Sequence, residues 1–425
     1  MIPIALLLAP IAITHVGVVD LDEGRIVPDQ TVLVRDGRIE SVGRSGAKVP
    51  KGATQVDGRG KFLLPGLCDM HVHLSWTTAS ALPLLVANGV TCVRDLGSDL
   101  AGIDAWRAEI AAGVRIGPRI VRAGPILNGR SFNRYQLVTG PPEEARGIVR
   151  ALKQVGVDLI KVHRRVEREA YFAIADEAKK QGLPLVGHIP MTVTPEEASD
   201  QGQLIEHTET LFEGTFSAAL EPGALPAAIA RFRSEGAAAL FARFVRNHTP
   251  VTPTLVPWRH LLAHPDPLSD PRMRYVARSL KEAQKRAPPM SAEDRAELEQ
   301  TYAEYRAVVG QMNRAGVVLL AGTDIAAARI PGFFLHDELG ALVEAGLSPL
   351  QALRAATSNA AAILRKDIGA VAPGKLADLV LLDGNPLERI ENTNRIRAVV
   401  VAGKLLRRSD LDRLLRLGEE MASRN

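Results

Sequence analysis

The chain has 425 residues, 46% of them apolar and 24% charged, with a formal net charge of +4. That length exceeds one ordinary compact domain, and the apolar fraction is ample for a sizeable core. Interspersed charges and an aromatic content of 4% argue against a nucleic-acid binder, which needs a basic patch with stacking side chains.

Met1–Ala12 is almost wholly apolar but too short to span a bilayer as a helix. Two readings stay open: the apolar part of an export signal that lacks a preceding Lys or Arg, or a lead into the first strand. The protein is accordingly expected in the cytoplasm, or exported if that segment is a signal. No later segment has the length and polarity of a membrane span.

Ile11–Val19, Thr31–Val34 and Arg38–Val42 are short apolar or alternating runs, punctuated by Asp22-Glu23-Gly24 and Asp36-Gly37. This is the pattern of consecutive hairpins. It returns near the C-terminus in Ala377–Leu382, Ala398–Val401 and Lys404–Arg407, with Asp383-Gly384 and Ala402-Gly403 between. Residues 1–61 and 367–425 are therefore expected to form one small β domain, a sandwich closed by a helix from Ser409, around a larger inserted domain, 62–366.

Within 62–366, strand and helix patterns alternate, which implies a parallel sheet with helical crossovers. The expected strands are Phe62–Asp69, Val90–Leu96, Arg119–Ala123, Leu159–His163, Leu185–His188, Leu204–His207, Val251–Leu255 and Val317–Ala321. Their number fits a closed (β/α)₈ barrel. Thr194-Pro195-Glu196-Glu197 reads as a capping box, and Gly346 as a helix stop. Asp266–Arg314 is expected to add helices before the last strand. Cys68 and Cys92 fall in apolar runs and read as buried free thiols rather than a disulfide.

Polar residues interrupt these strands at their C-terminal ends. His71 and His73 alternate at the end of the first, so both rings can face the same side. Lys161 lies in the fourth, His188 ends the fifth, His207 ends the sixth, and Asp324 follows the eighth. A core histidine usually appears alone. Four histidines, a lysine and an aspartate at matching strand ends point to a metal site at the barrel mouth.

The run Pro65-Gly66-Leu67-x-Asp69-x-His71-x-His73 resembles the first-strand motif of the amidohydrolase superfamily. Gly369-x-Val371-x-Pro373-Gly374-Lys375-Leu376-Ala377-Asp378-Leu379-Val380 resembles its return to the small β domain, and Ala355-Ala356-Thr357-x-Asn359-x-Ala361 the helix before it. Within the superfamily the chain is most similar to the prolidase- and imidazolonepropionase-related hydrolases, although His163 and the Gly187-His188-Ile189-Pro190 turn are not universal there. The resemblance implies two divalent metal ions, with zinc suited to the ligand types. His71, His73 and Asp324 would hold one ion, and His188 and His207 the other. Lys161, as a CO₂-derived carbamate, would bridge them. A bridging hydroxide would attack an amide-type C–N bond in a small molecule such as a dipeptide, N-acyl amino acid, cyclic amide or urea-like compound, with Asp324 moving the proton. His163, Tyr135, Arg130 and Arg329 are candidate substrate contacts, each with an alternative as an ordinary loop residue. His336 is as suited to capping its helix as to catalysis. The rival readings are a mononuclear deaminase or imidazolonepropionase-like hydrolase, which needs no bridging lysine, and a non-catalytic relative of the same fold.

Overall fold

A computed structural model describes residues 9–46, 49–286, 290–326 and 329–424. Most of the apolar N-terminal run lies outside the described residues. From Ile11 the chain is a strand, Ile11–Asp20.

Both ends of the chain pair into one hydrogen-bonded sheet of eight strands. Ile11–Asp20, Arg25–Arg35, Arg38–Arg44, Thr54–Asp57 and Phe62–Pro65 come from the front; Leu379–Leu382, Ile396–Val401 and Lys404–Arg407 come from the back. The seam between them is antiparallel, with Phe62 opposite Leu382 and Pro65 opposite Leu379. Alternate residues of these strands, among them Ile11, Ile13, Val32, Leu63, Leu379 and Leu381, bury one face in a core of their own.

The middle of the chain is α/β with parallel strands. Leu67–Val72, Val90–Asp95 and Arg119–Arg122 form one parallel group. Ile126–Asn128, Ile160–Val162, Leu185–Gly187, Leu204–Glu206 and Val251–Thr252 form a second, with Gln136–Val138 beside Ile126–Asn128. Asp158 N–H donates to the Arg122 carbonyl at 2.9 Å, between the two groups. Parallel bridges pair Val251 with Leu319 and Val72 with Ile325.

Two expected strands are corrected. Phe62–Asp69 is two strands, Phe62–Pro65 in the end-derived sheet and Leu67–Val72 in the parallel group. Pro65 has no N–H to continue a ladder, and a Cβ on Gly66 would fall 2.0 Å from Thr91 Oγ1. The chain changes partners at that tight crossing. Val317–Ala321 is extended but keeps only the bridge at Leu319. Val251 N–H donates to the Val318 carbonyl and Met70 N–H to that of Ala321, so its backbone is still held on both sides.

Helices cover the parallel strands through apolar stripes. Ala237–Arg246 buries Leu240, Phe241 and Phe244, each stabilising by about 1.5–3 kcal/mol. Thr194 and Glu197 make the expected reciprocal capping box, and Ser348 with Gln351 makes a second. The stretch after Asp266 supplies Arg278–Lys285 and Ala292–Ala315, and the terminal helix runs Arg408–Arg424. Cys68 and Cys92 are free and buried.

Candidate metal centre

Successive parallel strands deliver the polar residues to one end. Lys161 stands beside Val186, Gly187 beside Ile205, and Glu206 beside Thr252. His188 and His207 are therefore the next residues beyond adjacent strand ends. His207, Thr254 and Asp324 have φ of 69°, 50° and 51°. Left-handed conformations in residues with a Cβ are costly and collect at functional sites. At Gly322 an added Cβ would meet the His71 Cβ and backbone N–H at 2.9 Å, so only glycine lets the Asp324 segment lie this close to the first strand. Asp69 closes that junction: it accepts from His71 N–H at 3.2 Å, Thr323 N–H at 3.0 Å and Thr323 Oγ1 at 2.6 Å.

His71, His73 and Asp324 form a near-equilateral triangle of donor atoms. His71 Nε2 is 3.3 Å from His73 Nε2 and 3.4 Å from Asp324 Oδ1, and His73 Nε2 is 3.3 Å from the same oxygen. A cation about 2.0–2.1 Å from each of three tetrahedral ligands places them about 3.3–3.4 Å apart. The triangle fits that spacing.

The hydrogen bonds behind the rings fix their tautomers. His71 Nδ1 donates to Glu206 Oε2 at 2.7 Å, and His73 Nδ1 to the Gly97 carbonyl at 3.3 Å. Thr254 gives its own hydroxyl proton to the Pro253 carbonyl, so at 2.7 Å it accepts from His207 Nδ1. All three rings thus turn an unprotonated Nε2 away from these partners, the form a metal requires. Glu206 is itself held by Arg94, whose Nη2 donates to Oε1 at 2.5 Å; both side chains are essentially inaccessible. Arg94 also donates to the Met70 carbonyl at 2.7 Å and Thr252 Oγ1 at 3.1 Å.

Burial dominates the electrostatics. It pushes the pKa of His71, His188 and His207 well below the usual imidazole value, with neighbouring cations adding to the effect, so the rings are neutral at pH 7. Burial brings Lys161 down to about 8 and, with the Lys161 charge, His163 to about 3. Lys161 Nζ, His163 Nδ1 and His188 Nδ1 are buried without a hydrogen-bond partner. Buried polar atoms nearly always have partners, so these orphans, clustered at the ends of two adjacent strands, are groups that a bound ligand could satisfy. For Asp324 burial pushes the other way, but Arg329 and His71 outweigh it and hold the carboxyl well below its ordinary value.

The cluster opens into a cavity of 590 Å³ lined by His73, Lys161, His163, His188, His207 and Asp324 on one side. His163 stacks on His188 with centroids 4.1 Å apart, and Arg329 is ion-paired with Asp324 Oδ2. Tyr135 and Arg130 are not among the lining residues. Tyr135 stacks on Trp76 and donates to the Ser75 carbonyl; Arg130 lies over Phe132, beside a separate cavity of 270 Å³. His336 is also remote: Nδ1 meets Thr393 Oγ1 and Nε2 the Asn88 carbonyl, both at 3.0 Å, tying its helix into the core. The sequence reading passed over Arg94, Glu206, Arg164, Glu209, Trp76 and Trp258. Arg164 directly follows His163 and Glu209 stands two residues past His207, so the strand-end logic could have reached them.

Fold and site together define a hydrolase class with parallel strands and a histidine-rich centre at their C-terminal ends. The amidohydrolase family model matches residues 62–406, and the chain belongs to that family of hydrolytic enzymes acting on C–N bonds. A candidate prolidase from Bifidobacterium longum is 26% identical with a TM-score of 0.71, over 97% of this chain and 99% of that one. Bottromycin amidohydrolase is 25% identical with a TM-score of 0.77, over 97% and 90%. Among curated relatives, adenine deaminase of Chelativorans sp. (strain BNC1) is 33% identical over 90 residues, 19% of this chain and 15% of that protein. The matched stretches of the curated relatives span only 14% to 23% of their lengths. No described helix is long and apolar enough to cross a membrane.

Proposed function

We propose that the protein hydrolyses an amide-type C–N bond in a small molecule with two divalent metal ions, zinc fitting the ligand set. The carrying observation is the His71–His73–Asp324 triangle at the ends of parallel strands, with its tautomers fixed from behind. The same reading takes the strands as a closed (β/α)₈ barrel, supported by the Val72–Ile325 and Val251–Leu319 bridges. Residues 1–61 and 367–425 then make a small β domain around residues 62–366.

His71, His73 and Asp324 would hold one ion, and His188 and His207 the other, with Lys161 as a carbamate between them. Lys161, buried, unpartnered and lowered to about 8, has an accessible neutral amine, the form that reacts with CO₂. Bound metal would supply charge to polarise the scissile carbonyl and to lower the pKa of water.

The chain's own groups do the rest. Asp324 is a carboxylate at neutral pH and can accept the proton of the attacking water, then pass it to the leaving nitrogen. Arg329 on Asp324 Oδ2 restrains the carboxylate in one orientation. Arg164, His163 and Gln136 offer donors in the cavity wall, while Trp76 and Trp258 present flat apolar faces. That lining suits a compact substrate with a carboxylate or carbonyl beside an apolar group, such as a dipeptide, N-acyl amino acid or cyclic amide. The Bifidobacterium longum relative is described as a prolidase.

The test is a panel of dipeptides, N-acyl amino acids, lactams and aminated heterocycles with metal-replete protein, together with the number of ions bound at this centre. Turnover of at least one amide class with two ions at the centre is expected. One ion at the centre and turnover of an aminated heterocycle would establish the mononuclear deaminase reading instead; no turnover in metal-replete protein would remove the proposal.

A further inference from the structure

A second group of ligand-type side chains lies outside this cluster. The helix Val256–Ala263 carries His260, and His264 follows at its end, one helical turn on. Their rings are 4.7 Å apart. Asp270 opens the short turn Pro271–Tyr275 and faces both. His260 Nδ1 is 3.7 Å and His264 Nε2 3.6 Å from one oxygen, Asp270 Oδ2. Both separations are too long for hydrogen bonds. They lie close to the spacing of about 3.3–3.4 Å between ligands of one tetrahedral zinc. One ligand atom from each of the three residues lies within 4.8 Å of the other two.

Two further observations point to a cation. The Asp270 side chain is 2% exposed and that of His260 10%, so the donors are largely withdrawn from water. Arg272 binds both oxygens of Asp270, at 2.7–3.1 Å, and reaches Asp337 Oδ2 at 2.8 Å. Two carboxylates thus share one guanidinium, which orients Asp270 and leaves a net negative charge beside two imidazoles. Burial, with His264 adding to it, lowers the His260 pKa, so its ring is in the neutral, ligating form.

We infer that His260, His264 and Asp270 form a separate divalent-cation site, with zinc the ion their chemistry suits. Three protein ligands leave one position for water, and His264, 28% exposed, gives the ion a way in. His260 also lines the large cavity, beside Trp258 and Leu261 of the same helix. An ion here clamps that helix to the turn at Pro271–Tyr275 and fixes one wall of the cavity. The inference does not depend on which C–N bond is cleaved.

The test uses the full chain, loaded with zinc and then dialysed free of unbound metal. Crystals measured on both sides of the zinc absorption edge should show an anomalous peak among His260, His264 and Asp270, distinct in position from density at His71, His73 and Asp324. His264→Ala should abolish that peak alone, and zinc per chain should fall by one. His264→Gln, closer in size, should do the same if the alanine variant folds poorly. Dialysed wild-type protein without a peak there, a peak seen only in millimolar zinc, or unchanged zinc content in a folded variant would each overturn the inference.

Discussion

Arg94→Met tests whether the centre is organised from behind, through Arg94, Glu206 and His71. Arg94 and Glu206 are 1% and 0% exposed, and their 2.5 Å contact places the guanidinium directly on the carboxylate. Methionine keeps much of the volume and removes the charge. Breaking a buried pair by deleting one partner costs about 3–5 kcal/mol, because the other charge stays stranded. The Met70 carbonyl and Thr252 hydroxyl lose a donor at the same time, which places the expected loss toward the upper end of that range. Against a total stability of about 5–15 kcal/mol this is large. Urea unfolding of metal-free protein, followed by circular dichroism, would read it as a lower midpoint at an unchanged slope. Adding Glu206→Gln should recover part of the loss, since it removes the stranded charge, and the double variant should be more stable than Arg94→Met alone. Zinc affinity should fall by roughly 10–100-fold in the single variant, as the Glu206 carboxylate that orients His71 loses its own anchor. A loss under about 1 kcal/mol, or a double variant less stable than Arg94→Met, would refute the argument.

Asp324→Asn should keep the fold while turnover falls by roughly 10²–10⁴-fold; near-normal turnover in metal-loaded protein would remove its proton-transfer role. Lys161→Ala should lose most of one metal ion and most activity. Its metal-free form should be no less stable than wild type, because the ammonium it removes is buried without a partner; two ions retained at this centre with full activity would exclude the carbamate. Glu338 accepts Val256 N–H at 2.7 Å, but burial lifts its carboxyl to about 8. A folded pKa above the unfolded value means stability present at low pH and lost as pH rises through about 8. Glu338→Gln should therefore gain on the order of a few kcal/mol at pH 9 and little near pH 4, a trend that thermal melts at the two pH values would check.

What the sequence determined was set by local periodicity. His71 and His73 stand two apart on a strand, and His188, His207 and Asp324 each follow an apolar run, so their common edge was legible from alternation alone. The hairpin signals at both ends and the Thr194 capping box were legible for the same reason. Partnerships between distant segments were not. Glu206 reads as one more polar residue at a strand end until pairing brings Arg94, 112 positions earlier, against it. Arg130 and Tyr135 sit in a loop whose sequence suits a cavity mouth, yet their rings and charges find neighbours within that loop and at Ser75. His336 satisfies both nitrogens on Asn88 and Thr393, far from the centre. Sequence spacing fixes which side chains share a face; which faces meet depends on long-range backbone pairing and burial, and these exist only once the chain has folded.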